Sequence, residues 1–98
     1  MFSFHFHKKV FTEKEIVGFD KEDGKWRTYK PDRIIERENF VEVIDFKIGK
    51  RDEEREKKDK EQVINYKKIL SEIYKKEIYG YLAYIDVNMN KVDVIEVK

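Results

Sequence analysis

The sequence predicts a single α/β or α+β domain in which one main helix packs on a β-sheet, in the approximate order β-β-β-α-β-β. Segments rich in β-branched and aromatic residues stand on both sides of one long charged segment. The second half of that segment has helical periodicity, and turn-forming residues separate the strand-like segments. The chain has 98 residues, so we expect one domain spanning residues 1–98.

The N-terminal third of the chain is predicted to contain strands and turns. Met1 to Val10 alternates Phe with Ser and His, which is the period of a strand, and a second short strand is expected near Glu15 to Phe19. Asp20 to Lys25 has the composition of a turn. Trp26 to Arg37 is predicted to be extended, with a break at Pro31 because proline cannot donate to a ladder.

Phe40 to Ile48 is the strongest strand prediction, because it is dense in β-branched and aromatic residues. Gly49 should end this strand, and a helix should run from Asp52 or Glu53 to about Lys75. The apolar positions of that helix recur every three or four residues and are Val63, Tyr66, Leu70 and Ile73.

Two further strands are predicted after the helix. Ile78 to Val87 should be buried, and the tight turn Asn88 to Asn90 should lead into the edge strand Lys91 to Val97.

Composition excludes several classes of protein and site. Charged residues form 44% of the chain but the net charge is +1, so nucleic-acid binding would need a local patch or a bound cation. The absence of cysteine excludes disulfides, thiol nucleophiles and Cys-type zinc sites. No apolar run reaches the ~20 residues of a membrane span, so a soluble, intracellular protein, cellular or viral, is expected. Abundant Lys and Glu with no Cys are typical of thermophiles.

A group of acidic and basic residues lies in and near the predicted strand Phe40 to Ile48. Asp32 follows Pro31, and Asp45 and Lys47 are two apart, so in a strand they share one face, while Ile44, Phe46 and Ile48 are expected on the other. Asp32 and Asp45 on adjacent antiparallel strands would form a hard-oxygen site for Mg²⁺ or Mn²⁺, with the Phe46 carbonyl as a further ligand. Lys47 could stabilise phosphate charge. The alternative is an Asp–Lys pair on a solvated face.

The order of these blocks resembles the RecB-type branch of the PD-(D/E)XK nuclease superfamily, in particular the C-terminal nuclease domain of AddA-like helicase–nucleases. The resemblance runs from Glu13 to about Val97 and implies a mixed, restriction-endonuclease-like sheet. The blocks that carry it are Thr12–Ile16 (TEKEI), Tyr29–Ile34 (YKPDRI), Val43–Gly49 (VIDFKIG), Gln62–Tyr66 (QVINY) and Tyr79–Tyr84 (YGYLAY).

The resemblance implies roles for individual residues. Asp32 and Asp45 would bind the metal, Lys47 would be the catalytic lysine, and Gln62 and Tyr66 would lie beside the site; core packing is the alternative for Tyr66. Too few residues precede the first matched block for the N-terminal core helix that relatives carry, so this helix is expected to be missing.

The third metal ligand is left open by the sequence. Glu13 is preferred, because it lies in a matched block, and Glu15, His5 and His7 are alternatives. A carboxylate suits Mg²⁺ better than an imidazole does.

The resemblance implies a metal-dependent DNase of repair, recombination or viral DNA processing. Single-stranded DNA or DNA ends would be its substrate, a homo-oligomer or a helicase its partner, and no membrane is involved. The alternatives are a non-catalytic nuclease-fold module that binds DNA or protein and a dimeric junction-resolving endonuclease.

Overall fold

The computed structural model describes residues 8–98, which form seven strands and one helix. The strands before the helix are β1 (Lys9–Thr12), β2 (Ile16–Asp20), β3 (Lys25–Tyr29), β4 (Arg33–Glu36) and β5 (Phe40–Ile48). They are followed by α1 (Glu53–Tyr74), β6 (Glu77–Asp86) and β7 (Lys91–Val97). A mixed sheet with one helix confirms the predicted fold class.

Five of the strands form one sheet in the order β1-β4-β5-β6-β7. The central strands β5 and β6 are parallel and are connected through α1, whereas the other neighbours are antiparallel. β7 lies at the edge of the sheet, as predicted. Strands β2 and β3 form a separate antiparallel hairpin. Within residues 8–98 no helix has the length and apolar character needed to cross a membrane.

The number of strands before the helix differs from the prediction, because five are present where three were expected. The predicted extended segment Trp26 to Arg37 divides at Pro31, which is fully buried, and its two halves belong to different sheets as β3 and β4. Of the predicted strand Met1 to Val10, only Lys9 and Val10 lie in β1, and residues 1–7, with His5 and His7, lie outside the described residues.

Helix α1 has the bounds that its capping residues dictate. The Asp52 side chain accepts a hydrogen bond from the backbone N–H of Arg55 at 2.9 Å, which is the geometry of an N-cap. Lys75 ends the helix in the left-handed conformation, with φ of 55°. Three of the four predicted apolar positions are buried in the core, but Ile73 is 49% exposed, because Tyr74 and not Ile73 packs against the core in the last turn.

Helix α1 packs against one face of the five-stranded sheet and forms the core there. A Cβ added to Gly80 of β6 would lie 2.5 Å from Cγ1 of Val63, so only glycine allows the helix this close to the strand. The β2–β3 hairpin packs on the helix in turn, where Gly18 approaches Ile69 in the same way. The core residues with no exposed surface are Ile34, Val41, Val43, Val63, Leu70 and Leu82.

The expected division of β5 into an apolar and a polar face is wrong. Val41 and Val43 are fully buried and, by strand alternation, share the helix-covered face with Asp45 and Lys47. The opposite face carries Ile44, Phe46 and Ile48 as predicted, but α1 does not cover it, and Ile48 is 70% exposed. The acid and the base therefore lie at the end of the buried face and not on a solvated one.

Candidate active site

The structure brings Asp32 and Asp45 together, on adjacent antiparallel segments as predicted. Arg33 pairs with Ile44 in the register of β4 and β5, so the preceding residue, Asp32, lies opposite Asp45. The Asp32 Oδ2 atom accepts a hydrogen bond from the backbone N–H of Phe46 at 2.8 Å, which fixes this carboxylate against β5. The Asp45 side chain is almost completely buried, with the whole residue 4% exposed.

Lys47 is held by side chains from both β5 and α1. Its Nζ atom lies 2.8 Å from Oδ2 of Asp45 and donates to Oε1 of Gln62 at 3.0 Å. Asp59 lies farther away, with its Oδ1 atom 3.9 Å from Nζ. Since an ammonium group has three N–H donors, one remains for a ligand beyond the Asp45 and Gln62 contacts. The predicted position of Gln62 beside the lysine therefore agrees with the geometry.

Burial is the largest influence on the protonation of the Asp45 carboxyl. Burial raises the pKa of Asp45; the ammonium of Lys47 lowers this pKa, and the neighbouring carboxyl of Asp32 raises it. Burial also raises the pKa of Tyr66 to about 12, and the negative charges of Asp45 and Asp32 act in the same direction. The Tyr66 phenol thus lies in the field of both carboxylates while its residue, 3% exposed, packs in the core.

Asp59, Tyr84 and Arg55 belong to the same cluster, and the sequence analysis gave Asp59 and Tyr84 no role in the site. The Tyr84 hydroxyl donates to Oδ2 of Asp59 at 2.8 Å, and Arg55 Nε lies 3.6 Å from the same oxygen. Arg55 also donates to the Ile48 carbonyl at 2.9 Å and so ties the first turn of α1 to the end of β5. Asp59 is three residues before Gln62, on the same helical face, but the surrounding charge run hid that spacing.

The carboxylate pair fits a magnesium or manganese ion. The buried carboxylate of Asp45 and the half-buried one of Asp32 lie side by side, and the Lys47 charge beside them also contacts Asp59, so negative charge is in excess. Mg²⁺ is commonly held by one or two carboxylates, with waters and substrate phosphate oxygens completing the shell. The Phe46 backbone N–H donates to the Asp32 carboxylate, and the Phe46 carbonyl stays a predicted metal ligand.

Among the described residues, no third carboxylate or imidazole joins this pair of carboxylates. Glu13 is exposed and close to it through its backbone, because its N–H donates to the Asp32 carbonyl at 3.1 Å. Glu15 is exposed as well. Within residues 8–98, no three His, Asp or Glu side chains are arranged to hold a metal ion. Glu13 and Glu15 therefore remain predicted ligands, and His5 and His7 lie outside the described residues.

The fold resembles that of a protein of known structure. The chain superimposes on the crystal structure of SSO0001 with a TM-score of 0.63 and 23% sequence identity, over 91% of this chain and 41% of that chain. The present chain thus spans less than half the length of SSO0001, and at this identity the comparison shows a shared fold. No protein-family model matches the sequence, and none of the curated proteins matches it either.

Proposed function

We propose that this protein is an Mg²⁺- or Mn²⁺-dependent DNase that hydrolyses phosphodiester bonds in single strands or at DNA ends. The observation that carries the proposal is the group formed by Asp32, Asp45 and Lys47, in which a half-buried and a buried carboxylate stand beside an ammonium with a free donor. Phosphodiester hydrolysis needs a cation on the phosphate and a positioned donor for the charge that develops there.

The chain's own residues have distinct tasks in this proposal. Asp32, Asp45 and the Phe46 carbonyl hold the metal, which when bound polarises the phosphate and lowers the pKa of a water ligand. Lys47 directs its remaining N–H at a phosphate oxygen or at the attacking water. Gln62 accepts from Lys47 at 3.0 Å and restricts the rotation of its ammonium group.

DNA would be gripped by lysines that are not neutralised within the protein. Among residues 8–98, Lys50, Lys57 and Lys58 lie near the site in sequence, are exposed and form no ion pair. Arg51 and Lys60 instead form ion pairs with Glu56. Exposed lysines of this kind can bind phosphates although the net charge of the chain is only +1. We propose an intracellular role in DNA repair, recombination or viral DNA processing.

A cleavage assay tests the proposal. Linear, circular, single-stranded and branched DNA should be incubated with the protein in Mg²⁺, Mn²⁺ or EDTA. Cleavage is expected with either metal, fastest on single strands or linear ends, and should stop in EDTA. Binding without cleavage in either metal would instead identify a non-catalytic DNA-binding module, and preferential cutting of branched DNA would identify a junction-resolving enzyme.

A further inference from the structure

One face of the five-stranded sheet carries apolar side chains but no covering layer. We call it the open face: it is the face opposite α1, and within residues 8–98 no helix or strand packs on it. Its aliphatic residues include Ile48, Val92 and Val94, which are 70%, 56% and 65% exposed. A large exposed apolar surface usually marks an interaction site.

The open face also carries two charged residues that form no ion pair within residues 8–98. Arg33, Ile44, Tyr81 and Glu96 lie in one row across β4, β5, β6 and β7. The Arg33 guanidinium lies over the Phe46 ring, 5.3 Å from its centroid, and its Nε atom is buried without a hydrogen-bond partner. At ~4.8 Å per strand, Glu96 is about 14 Å from Arg33, too far to pair with it. Neither forms an ion pair among the described residues.

We propose that the open face binds a second copy of this chain, in a two-fold symmetric dimer whose axis runs parallel to the strands between β5 and β6. This rotation exchanges β4 with β7 and β5 with β6. It places Arg33 of each copy opposite Glu96 of the other, and Ile44 opposite Tyr81. The two facing rows then share two intermolecular ion pairs, one on each side of the apolar centre formed by Ile44 and Tyr81. This is the self-complementarity that a two-fold interface requires.

Shape and area agree with the same axis. Phe46 pairs with Ala83 across β5 and β6, so the rotation sets the large ring of each copy opposite the small side chain of the other. The five strands have four, four, nine, ten and seven residues, and at ~4.8 Å by ~3.3 Å per residue they give a face of about 540 Å². This is the size of the smaller specific interfaces, which bury less than about 600 Å² per partner. An axis along the strands also keeps the two sheets aligned, as in common sheet packing.

The dimer leaves both candidate active sites accessible. Asp45 and Lys47 are on the α1 side of the sheet, so they face away from the second copy. The proposal therefore does not depend on the nuclease activity, and it can be tested without metal or DNA.

The test is a charge exchange measured by analytical ultracentrifugation of the whole chain. The wild-type protein should sediment at twice its chain mass of 12.0 kDa. Arg33→Glu and Glu96→Arg should each weaken the dimer by at least ~100-fold, because like charges then face each other. The double variant restores opposite charges and should dimerise within ~10-fold of the wild type.

Two further variants keep the test interpretable. Val94→Lys, at an exposed position, should give monomers even if an Arg33 variant folds poorly, with circular dichroism reporting the fold. Glu72→Arg, on the exposed surface of α1, should leave the dimer unchanged. A monomeric wild-type protein overturns the proposal, and so does a double variant that remains as weak as the single variants.

Discussion

Asp45→Asn is the substitution that most directly tests the proposed metal site. It replaces a carboxylate that is 4% exposed by an amide of nearly the same shape. Two effects on stability oppose each other in EDTA: the burial cost of the charge disappears, and the contact with Lys47 at 2.8 Å weakens. Because these two effects oppose each other, we expect a free energy of unfolding within about 1 kcal/mol of the wild type.

The response to metal should differ far more. At a metal concentration about 100 times Kd, binding stabilises the wild-type fold by about 2.7 kcal/mol. For a domain of this size, that is a rise in Tm of about 11–22 °C. Loss of a residue that only holds a metal ligand in place costs about 10–100-fold in affinity, and loss of a direct ligand should cost at least as much. With Kd raised ~100-fold, the gain falls to about 0.4 kcal/mol, or about 2–3 °C.

Thermal unfolding followed by circular dichroism in EDTA and in Mn²⁺ measures both effects. Asp59→Asn is the matched control, because it removes another carboxylate near the same lysine, 3.9 Å from Nζ, that is not a proposed ligand. This control should retain the Mn²⁺ shift, and Asp45→Asn should lose it together with cleavage. A Mn²⁺ shift of wild-type size in Asp45→Asn would show that the cation binds elsewhere, and our site would then be wrong.

Three other predictions follow from the same geometry. Lys47→Ala should retain the Mn²⁺ shift but cut DNA ~10²–10⁴-fold more slowly in single-turnover kinetics; a lost shift would make the lysine structural. Glu13→Gln should raise the metal concentration for half-maximal cleavage, and His5→Ala with His7→Ala should not; the reverse result would place the third ligand in the N-terminal segment. Binding of single-stranded DNA, measured by fluorescence anisotropy in EDTA, should weaken with salt at a log–log slope of about −0.7 per neutralised phosphate; a flat response would indicate a protein-docking module.

The elements were predictable where local pattern and tertiary burial agree. The capping residue Asp52 and the periodicity of Val63, Tyr66 and Leu70 gave the helix its correct bounds. The β2–β3 hairpin was harder to predict, because the sequence around Pro31 does not indicate that the two halves of the extended segment join different sheets. That separation depends on the hairpin packing against Ile69 of α1, a contact between residues distant in sequence.

The site was predictable in its residue types but not in its environment. The spacing of Asp45 and Lys47 placed them on one face, yet which face the helix covers is not encoded in β5, since both faces carry apolar residues. Asp59 and Tyr84 were missed for a related reason. A charged residue in a charged helix has no sequence signal, and only the approach of β6 gives Asp59 its hydrogen bond from the Tyr84 hydroxyl.

The position of the site follows from a change in polarity that β5 and α1 share. Along β5 the helix-covered face changes from Val41 and Val43 to Asp45 and Lys47. Because α1 returns the chain to a strand parallel to β5, its N-terminal half lies against the C-terminal end of that strand. That half is its charged half, and the Lys47–Gln62 hydrogen bond lies at the boundary. A charge run without apolar periodicity thus supplies polar partners for the polar end of β5, and any cation or phosphate bound there would meet this half of the helix.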